Sequence, residues 1–445
     1  MARKASLSGF PEYLPAERLV ENHVLDTLRK TFELHGFSSI ETRSVETIEQ
    51  LLRKGEIDKE VYAISRLQDD NGAKAKEKLA LHFDLTVPFA RFTAEHYGEL
   101  YLPFKRYHIA KVWRGEKPQA GRYREFVQCD VDTVGSDSAA SDFEILNVMK
   151  CALNAIGALD ITIRVNHRGI FNRFLTSCGV SDKSESILRA VDKIAKTGKE
   201  SVHAELTEIC GGDNAQKIIE YIDTPKGEMF EQTLARLERL AGGEDADSRR
   251  LCDVYAMMCA AGIESAFVLD PSITRGLDYY TGIVYETFLN ALPAIGSVCS
   301  GGRYDNLTAL YMKERVPGVG GSIGIDRLIA ALEQLTILPK GNSYLDAEIF
   351  CINANDALSY QKAAAALRSH SVRVEVFPDA KKMNQQYALA EAKRIPWGIL
   401  ISSDDAKNGT LSLKNLLTRE VAEHISIDEA AAIILKTRKE QAVRL

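Results

Sequence analysis

The strongest constraint on the fold lies in residues 100–135, where two stretches of alternating apolar and polar residues flank a turn-rich segment. Alternation with a period of two places successive side chains on opposite faces of a β-strand. The segment between the two stretches, GEKPQAGR (115–122), is basic and has the glycine and proline content of a loop. We therefore predict a long antiparallel hairpin with a flexible loop, around which a sheet has to be built.

The second arm of this hairpin separates two kinds of side chain. One face carries mostly packing residues, in the order Glu125, Val127, Cys129 and Val131. The opposite face carries an aromatic ring, an amide and two carboxylates, in the order Arg124, Phe126, Gln128, Asp130 and Asp132. A rigid strand that presents such groups suits recognition of a small polar ligand lying on the sheet. A solvated sheet face is the alternative that the hairpin alone leaves open, because antiparallel sheets often have water on one side.

Helices are predicted from apolar residues that recur at three- and four-residue steps. This spacing predicts an amphipathic helix from Pro15 to Gly36, with the glycine as its cap. Residues 170–262 have the pattern of a helical insertion, in which Ile187, Val191 and Ile194 share one helix face.

Further strands are predicted at 161–165, 266–269 and 277–288, and the glycine-rich VPGVGGSIG leads from a strand into a helix that ends near Leu335. LPKGNSY (338–344) has the composition of a linker, and strand and helix patterns alternate after it. We place a domain boundary at this linker.

Length and composition limit the class of protein. A chain of 445 residues exceeds the size at which one core keeps growing, so two or three domains are expected. Its 45% hydrophobic and 27% charged residues are typical of a soluble globular protein. The net charge of -6 excludes a globally basic surface, so any nucleic-acid contact has to rest on local patches.

Cysteine and apolar patterns indicate the compartment. The eight cysteines form no CxxC pair and have no nearby histidine at zinc-like spacing, which indicates buried, reduced thiols. No apolar run approaches the about 18–20 residues that a membrane span requires, and no secretory signal follows the N-terminal MARKASLSG. We expect a cytoplasmic protein without a membrane segment.

Two arginines are candidates for phosphate binding. Arg114 ends the first hairpin arm, and Arg327 begins a helix after four glycines that would let a ligand approach the backbone. The dinucleotide spacing GxGxxG is broken by Ile323, which argues against a dehydrogenase, and no GxxxxGK[ST] occurs. Guanidinium groups can grip two phosphate oxygens in one plane. Taken singly, both arginines could also be surface cations.

HFDLTVPFARF places Asp84 among apolar neighbours, where a carboxylate without a partner would be costly. Asp84 is either functional or structural, and the structural alternative is pairing with Arg91 or capping a turn. RGLDYYTG (275–282) likewise carries five hydrogen-bonding side chains where a core strand would carry Val and Ile. Both stretches are candidate parts of a site.

Together these segments resemble histidyl-tRNA synthetases. VWRGEKPQAGRYREFVQCDVDTVG is similar to a class II motif 2, RGLDYYTG and GGRYDNL to two histidine-specific signatures, and GVGGSIGIDRL to a motif 3. The likeness spans nearly the whole chain. It implies an α+β fold: a class II catalytic domain on an antiparallel sheet (1–338) with the helical insertion (170–262), and a C-terminal α/β anticodon-binding domain (344–445).

The resemblance implies roles for individual residues. Arg114 would hold the ATP α-phosphate, Glu116 would lie near the adenine, and Phe126 would stack on it. Arg122 would reach the outer phosphates, and Arg327 would lie on the far side of the nucleotide. Arg275 would hold both the histidine carboxylate and the α-phosphate. Three arginines are thus the implied catalytic residues: Arg114, Arg275 and Arg327.

The same resemblance implies a histidine pocket. Asp84, Thr86 and Gln128 would bind the α-amino group, with Leu85 between the first two. Asp132 and Tyr280 would recognise the imidazole, with Tyr279 beside them. A carboxylate facing a phenol can address both ring nitrogens, and rejection of analogues could reach about 10⁴–10⁵ because buried polar groups would be left unpaired.

The implied reaction joins L-histidine to tRNA(His) through a histidyl-adenylate. Attack of the substrate carboxylate on the α-phosphorus needs positioning and cations, so no catalytic Ser or Cys is assigned. Mg²⁺ would bridge the outer phosphates of ATP, with no protein side chain assigned to it. The anticodon-binding domain and the helical insertion would contact tRNA, and the enzyme would be a homodimer.

Two departures from the family pattern stand out. Arg43 in IETRSVE occupies the motif 1 position that usually carries proline at the dimer interface, and the amino-group pocket has HFDLT where many bacterial members have RPEGT. A different subfamily accounts for the second departure. The competing interpretation is a non-catalytic, histidine-binding regulatory paralogue of ATP phosphoribosyltransferase. Such paralogues usually lack the C-terminal domain, which is complete here.

Overall fold

The computed structural model describes residues 7–52, 60–66, 78–119, 121–225, 227–274, 279–338 and 343–443. Two compact units result, one within Met1–Glu12 and Val24–Ile337 and the other within Tyr13–His23 and Leu338–Leu445. In the described residues, no helix is both long and apolar enough to cross a bilayer.

The chain before residue 338 contains twelve described α-helices: α1 (Pro15–Leu34), α2 (Ile48–Leu52), α3 (Thr86–Glu95), α4 (Ala139–Ala155), α5 (Arg168–Ser177), α6 (Ser184–Val191), α7 (Ile194–Thr197), α8 (Lys199–Cys210), α9 (Gly212–Ile222), α10 (Phe230–Leu240), α11 (Ala246–Ala260) and α12 (Ile325–Gln334). The predicted first helix is confirmed. Its C-terminus closes at Gly36, which has a φ of +78° that favours glycine.

The same part of the chain contains eleven described strands: β1 (Ser38–Ser39), β2 (Val45–Thr47), β3 (Ala63–Ile64), β4 (Leu79–Leu81), β5 (Phe104–Trp113), β6 (Glu125–Val134), β7 (Ile161–His167), β8 (Phe267–Leu269), β9 (Ile283–Leu289), β10 (Cys299–Arg303) and β11 (Gly318–Gly324). Eight of them form one sheet in the order β1-β5-β6-β11-β10-β9-β7-β8. Only the edge pairs β1–β5 and β7–β8 are parallel among these strands. The remaining three form a small antiparallel sheet.

The predicted hairpin forms the second and third strands of the large sheet, next to the short edge strand β1. β5 and β6 pair over their full lengths, with Trp113 opposite Glu125 and Phe104 opposite Val134. Between the arms, the backbone amides of Gln119 and Arg122 each donate to the other's carbonyl oxygen over 2.9 Å. Alternation sorts the side chains of β6 as predicted, but Gln128, Asp130 and Asp132 are buried, so the alternative of a solvated face is excluded.

Two local predictions were wrong. The segment ILRAVDKI does not form one continuous helix, because α6 ends at Val191 and Ile194 begins the separate short helix α7. The strand predicted for 277–288 begins only at Ile283, and the preceding residues 279–282 are irregular, with 277 and 278 outside the described residues. Polar and aromatic side chains at 279–281 serve contacts other than a strand ladder.

The cysteines correct a further expectation. All eight are free thiols, as predicted, but not all are buried. Cys252 and Cys259 are exposed on α11, and three more are partly exposed. Core packing therefore explains Cys129, Cys299 and Cys351 only.

The C-terminal unit is built on a mixed sheet of five strands in the order β13-β12-β14-β15-β16. Its strands are β12 (Ala347–Ile349), β13 (Val374–Val376), β14 (Trp397–Leu400), β15 (Thr410–Asn415) and β16 (Val421–Ser426), and its described helices are α13 (Ala357–Ser369), α14 (Met383–Ala392), α15 (Ser403–Asn408) and α16 (Ile427–Val443). β12 pairs in parallel with β13 and β14. Apolar residues of β12, β14 and β15 pack with α13 and α16 into one core.

Candidate active site

A cavity of about 160 Å³ lies between the hairpin loop, β6, β11 and the start of α12. Five of the six residues predicted to bind a nucleotide line it, together with one predicted to bind the amino acid: Arg114, Glu116, Arg122, Phe126, Arg327 and Gln128. The sixth nucleotide residue, Arg275, lies outside the described residues. Arg114 and Arg327 are each partly buried, so the structure does not support the alternative of isolated surface cations.

Arg114 is held in place before any ligand arrives. Its Nε donates to the carbonyl oxygen of Phe83 over 3.2 Å, and Nη2 donates to Oε1 of Gln128 over 3.4 Å. The guanidinium group lies 4.4 Å from the ring centroid of Phe83 and 5.2 Å from that of Phe126. Fixing a guanidinium between two rings and two acceptors lowers the entropy that a phosphate contact would otherwise cost.

Arg327 lies in the first turn of α12, and its Nη1 donates to the carbonyl oxygen of Ser297 over 2.7 Å. The neighbouring Asp326 accepts a 2.8 Å hydrogen bond from the backbone amide of Val127, which ties the helix start to β6. Gly121 of the hairpin loop has a φ of +68°, and a Cβ there would lie 3.2 Å from Cα of Arg327. Glycine thus lets the loop close over the start of this helix.

Glu116 and Arg122 form an ion pair across the hairpin loop. The side chain of Arg122 is 43% exposed, so this pair is weak and a polyanion can displace the carboxylate. Any nucleotide that uses both residues as predicted has to separate them first.

Asp132 is the centre of the predicted imidazole-binding face. Its Oδ2 lies 2.6 Å from Nη2 of Arg106, and its Oδ1 accepts a 2.5 Å hydrogen bond from the hydroxyl of Tyr304. Burial raises the pKa of Asp132, and the charge of Arg106 and the hydrogen bond from Tyr304 oppose that rise. The carboxylate therefore has a fixed orientation and a counter-ion.

The segment before α3 brings the predicted amino-group residues to the same region. Oδ1 of Asp84 accepts a 3.0 Å hydrogen bond from the amide of Val87, so one oxygen of this buried carboxylate caps the turn at the helix start. Arg91 pairs instead with Glu46 and Glu95. Leu85 is fully buried and Thr86 is the first residue of α3.

Tyr279 and Tyr280 lie shortly before β9, which begins at Ile283. Their rings meet edge to face at 4.9 Å, and Tyr279 makes a second edge contact with Tyr304 at 6.0 Å. Burial raises the pKa of both phenols, so both stay protonated and can donate hydrogen bonds at neutral pH.

Two glycines separate Tyr280 from Asp132. Gly302 and Gly320 are partners in the register of β10 and β11. A Cβ at Gly302 would lie 2.9 Å from the ring of Tyr280, and one at Gly320 would lie 1.9 Å from Oδ1 of Asp132. The absence of side chains at both positions makes room for these groups above the sheet.

Sequence reasoning missed Arg106 and Tyr304 as partners of Asp132. Arg106 could have been found, because the hairpin register places it directly opposite Asp132. Tyr304 belongs to the signature GGRYDNL, but no sequence pattern assigns its hydroxyl to a carboxylate 172 positions away. Ser322, which accepts a 2.6 Å hydrogen bond from Nε2 of Gln128, was also missed.

Comparisons with known proteins agree with this architecture. A family model for histidyl-tRNA synthetase matches residues 9–328, and a model for an anticodon binding domain matches residues 336–437. A relative from Treponema denticola, named histidine–tRNA ligase, is 54% identical over 404 residues, which cover 89% of this chain and 89% of the relative.

Solved structures show the same fold. The histidyl-tRNA synthetase from Nostoc sp. PCC 7120 aligns with a TM-score of 0.85 and 31% identity over 98% of this chain and 100% of that one. An ATP phosphoribosyltransferase regulatory subunit/histidyl-tRNA synthetase from Bacillus halodurans C aligns with a TM-score of 0.72 over 86% of this chain and 96% of that one, but its 19% identity shows the fold alone.

Sheet, cavity and appended domain together define an aminoacyl-tRNA synthetase, and the predicted α+β fold is confirmed. The chain belongs to the histidyl-tRNA synthetase family.

Proposed function

We propose that this protein activates L-histidine with ATP to form histidyl-adenylate and then transfers histidine to the 3′ end of tRNA(His). The observation that carries this proposal is the convergence of Arg114 and Arg327 on one cavity, where Gln128, on the same face of β6 as the buried Asp130 and Asp132, accepts a hydrogen bond from Arg114. The relative from Treponema denticola carries the name of this activity, and it shares 54% of its aligned residues with this chain.

The first half-reaction brings two anions together. The histidine carboxylate attacks the α-phosphorus of ATP in line, and charge accumulates on the phosphoryl oxygens. Arg114 neutralises that charge from the hairpin side and Arg327 from the helix side, as in class II synthetases. Arg275, which is implied by the family resemblance, completes the set. Fixed cations aimed at a developing charge typically contribute about 100- to 1000-fold each.

The remaining cavity residues bind the adenine and the outer phosphates. Phe126 offers a ring on which the base can stack, while Glu116 accepts from its exocyclic amino group. Arg122 is released from Glu116 and turns to the outer phosphates. Mg²⁺ would be held mainly by those phosphates, where it would offset their charge, and no protein side chain is assigned to it.

Histidine is selected by its ring. Asp132 is held as an acceptor by Arg106 and Tyr304, and Tyr280 is a protonated phenol on the other side of the glycine pair. Together they address one imidazole N–H and one ring nitrogen. Asp84, Leu85, Thr86 and Gln128 surround the α-amino group, and Tyr279 supports Tyr280 through its edge contact.

Transfer to tRNA uses the rest of the chain. We assign anticodon binding to residues 344–445, acceptor-stem contacts to the helical insertion at 170–262, and catalysis to the remainder of 1–338. We further propose a cytoplasmic homodimer. Arg43, which stands at the expected dimer interface, forms an ion pair with the buried Glu46 at 2.8 Å.

The regulatory paralogue of ATP phosphoribosyltransferase is not favoured. Relatives named histidine–tRNA ligase match most of the chain, and the anticodon-binding model matches residues 336–437.

An exchange assay with twenty amino acids tests the proposal. Purified protein, ATP, Mg²⁺ and labelled pyrophosphate are expected to give exchange with histidine alone, and tRNA to be charged with histidine. Histidine binding without exchange or charging would contradict the proposed enzyme and favour the regulatory paralogue.

A further inference from the structure

We propose that Ser322 and Asp130 are positioning residues that fix the orientation of the Gln128 side-chain amide, so that its oxygen faces Arg114 and the substrate amino group. The inference rests on the proposed function, because it assigns Gln128 to the histidine α-amino group. It adds two residues to the recognition of histidine, and both act through the side chain of Gln128.

The amide of Gln128 is bound at both ends. Nε2 donates to the hydroxyl oxygen of Ser322 over 2.6 Å, and Oε1 accepts from Nη2 of Arg114 over 3.4 Å. A guanidinium group can only donate, so the oxygen has to be the end that faces Arg114. The side chain is 7% exposed, which leaves water little access to either end.

We infer that Asp130 sets the direction of the hydrogen bonds that Ser322 makes. It lies directly opposite Ser322 in the register of β6 and β11, and both side chains are on the face that carries Gln128. Burial raises the pKa of Asp130 to about 7, against the lowering effects of Arg106 and of the Ser322 hydroxyl. Ser322 Oγ already accepts from Gln128, so its proton is free to point to the carboxylate opposite, and above pH 7 the ionised Asp130 can only accept that proton.

The surroundings favour this arrangement. Arg106 is the strongest charge that acts to keep Asp130 ionised, whereas Asp132 and Asp84 oppose ionisation. His108 stands on the other side of Asp130 in the register, but burial lowers its pKa to about 3, so its ring is neutral. Asp130 is 1% exposed, and its Oδ1 has no hydrogen-bond partner among the described residues.

The side-chain amide of Gln128 is nearly symmetric in shape, so its two orientations differ mainly in which end accepts hydrogen bonds. A free primary amide can turn over, and the turned form would present N–H groups to Arg114 and to an ammonium ion, all of which are donors. The turned form therefore loses an acceptor for the substrate at the point where a positive charge has to be bound. Ser322 and Asp130 remove that form without adding bulk to the pocket.

Ser322→Ala and Asp130→Ala test the inference in the full-length enzyme through histidine-dependent pyrophosphate exchange. Each single variant is expected to raise KM for histidine roughly tenfold, the loss typical of one hydrogen bond to a charged group. KM for ATP is expected to change less than about threefold, since Arg114 keeps its contacts to Phe83 and Phe126. Ser322→Thr, which keeps the hydroxyl, is expected to restore KM for histidine.

The double variant Ser322→Ala/Asp130→Ala shows whether Asp130 acts through Ser322 or whether the two residues act independently. If Asp130 acts through Ser322, the double variant resembles Ser322→Ala, with KM for histidine within about twofold of that single variant. Ser412→Ala, on β15 of the C-terminal unit, is the matched control for loss of a strand hydroxyl and should have no effect.

Several outcomes overturn the inference. A wild-type protein without histidine-dependent exchange removes the proposed function, and the inference with it. An active wild type whose KM for histidine is unchanged by Ser322→Ala overturns the inference alone. So does a double variant whose KM rise equals the product of the two single rises, or equal losses for histidine and ATP in every variant.

Discussion

Arg106 and Asp132 form an ion pair in which Nη2 and Oδ2 are 2.6 Å apart and the two side chains are 0% and 3% exposed. They stand opposite each other on β5 and β6, so the hairpin register itself creates the pair. The guanidinium group also lies 4.2 Å from the ring centroid of Phe89. The pocket that we propose for the imidazole is thus built around a carboxylate that already has a counter-ion in the folded protein.

Arg106→Met is expected to destabilise the protein strongly. Removing one partner leaves a buried, uncompensated carboxylate, which typically costs about 3–5 kcal/mol of the free energy of unfolding. Urea denaturation followed by circular dichroism measures the loss. Arg29→Met, which breaks a pair whose side chains are 44% and 60% exposed, serves as the control and should cost less than about 1 kcal/mol. Similar losses in both variants would show that Asp132 does not depend on Arg106.

Asp132→Ala is expected to suppress histidine-dependent exchange while ATP binding is kept. KM for histidine should rise by roughly 100-fold or more, because the imidazole loses a charged acceptor and Tyr304 loses its partner. Equilibrium binding of ATP should change less than about threefold, since the arginines that line the cavity are untouched. Unchanged exchange kinetics in this variant would refute the pocket assignment.

Arg327→Ala is expected to lower kcat/KM for exchange by about 100- to 1000-fold, because a fixed cation at the developing charge is lost. Arg327→Lys should recover only part of this loss, since an ammonium group cannot grip two oxygens in one plane. Arg29→Ala, on the exposed face of α1, is the matched control. If Arg29→Ala lowers the rate as much as Arg327→Ala, the effect is not specific to the cavity.

Glu348→Met is expected to stabilise the C-terminal unit above pH 7. Glu348 is fully buried on β12, and neither carboxylate oxygen has a hydrogen-bond partner within the described part of the chain. Burial, and secondarily Glu375, raises the pKa of this carboxyl from 4.5 to about 7. An acid whose pKa is higher in the folded state destabilises that state as pH rises, here between pH 4.5 and about 7.

Unfolding of the C-terminal unit can be followed by the fluorescence of Trp397 on β14. The parent protein and the Glu348→Met variant are both compared in a Trp113→Phe background, which removes the other tryptophan. At pH 8 the methionine variant should be more stable by roughly 1–3 kcal/mol, the cost typical of a buried polar group. At pH 4 the two proteins should be similar, because the glutamate is then neutral in both states. A gain of equal size at both values would mean that packing, and not ionisation, is responsible.

The periodicity of apolar residues in the sequence predicted much of the fold. The hairpin, the first helix and the passage from β11 into α12 were all predictable, because each depends on local alternation and on glycine. The irregular segment 279–282 was not, since it runs directly into the β-branched and aromatic residues of β9 and was predicted as part of that strand. What distinguishes it is contact with Gly302 and Tyr304, and those residues lie on other segments.

In the site, too, the features that depend on local sequence were predictable and those that depend on distant segments were not. Alternation placed Gln128, Asp130 and Asp132 on one face, and family resemblance supplied roles for two of them. Neither source predicted that Ser322 orients Gln128 or that Arg106 neutralises Asp132. Such pairings depend on the register between strands, which loop lengths and distant partners determine.

The pairing of β6 with β11 has a consequence for the growing chain. Gln128 and Ser322 are 194 positions apart, so β6 is synthesised long before its second neighbour exists. Until then one edge of the hairpin is open, and open strand edges recruit other polypeptides unless charge repels them. Asp130 and Asp132 are buried in the finished sheet, and we expect their hydrated charges to oppose such recruitment while the hairpin is still unpaired.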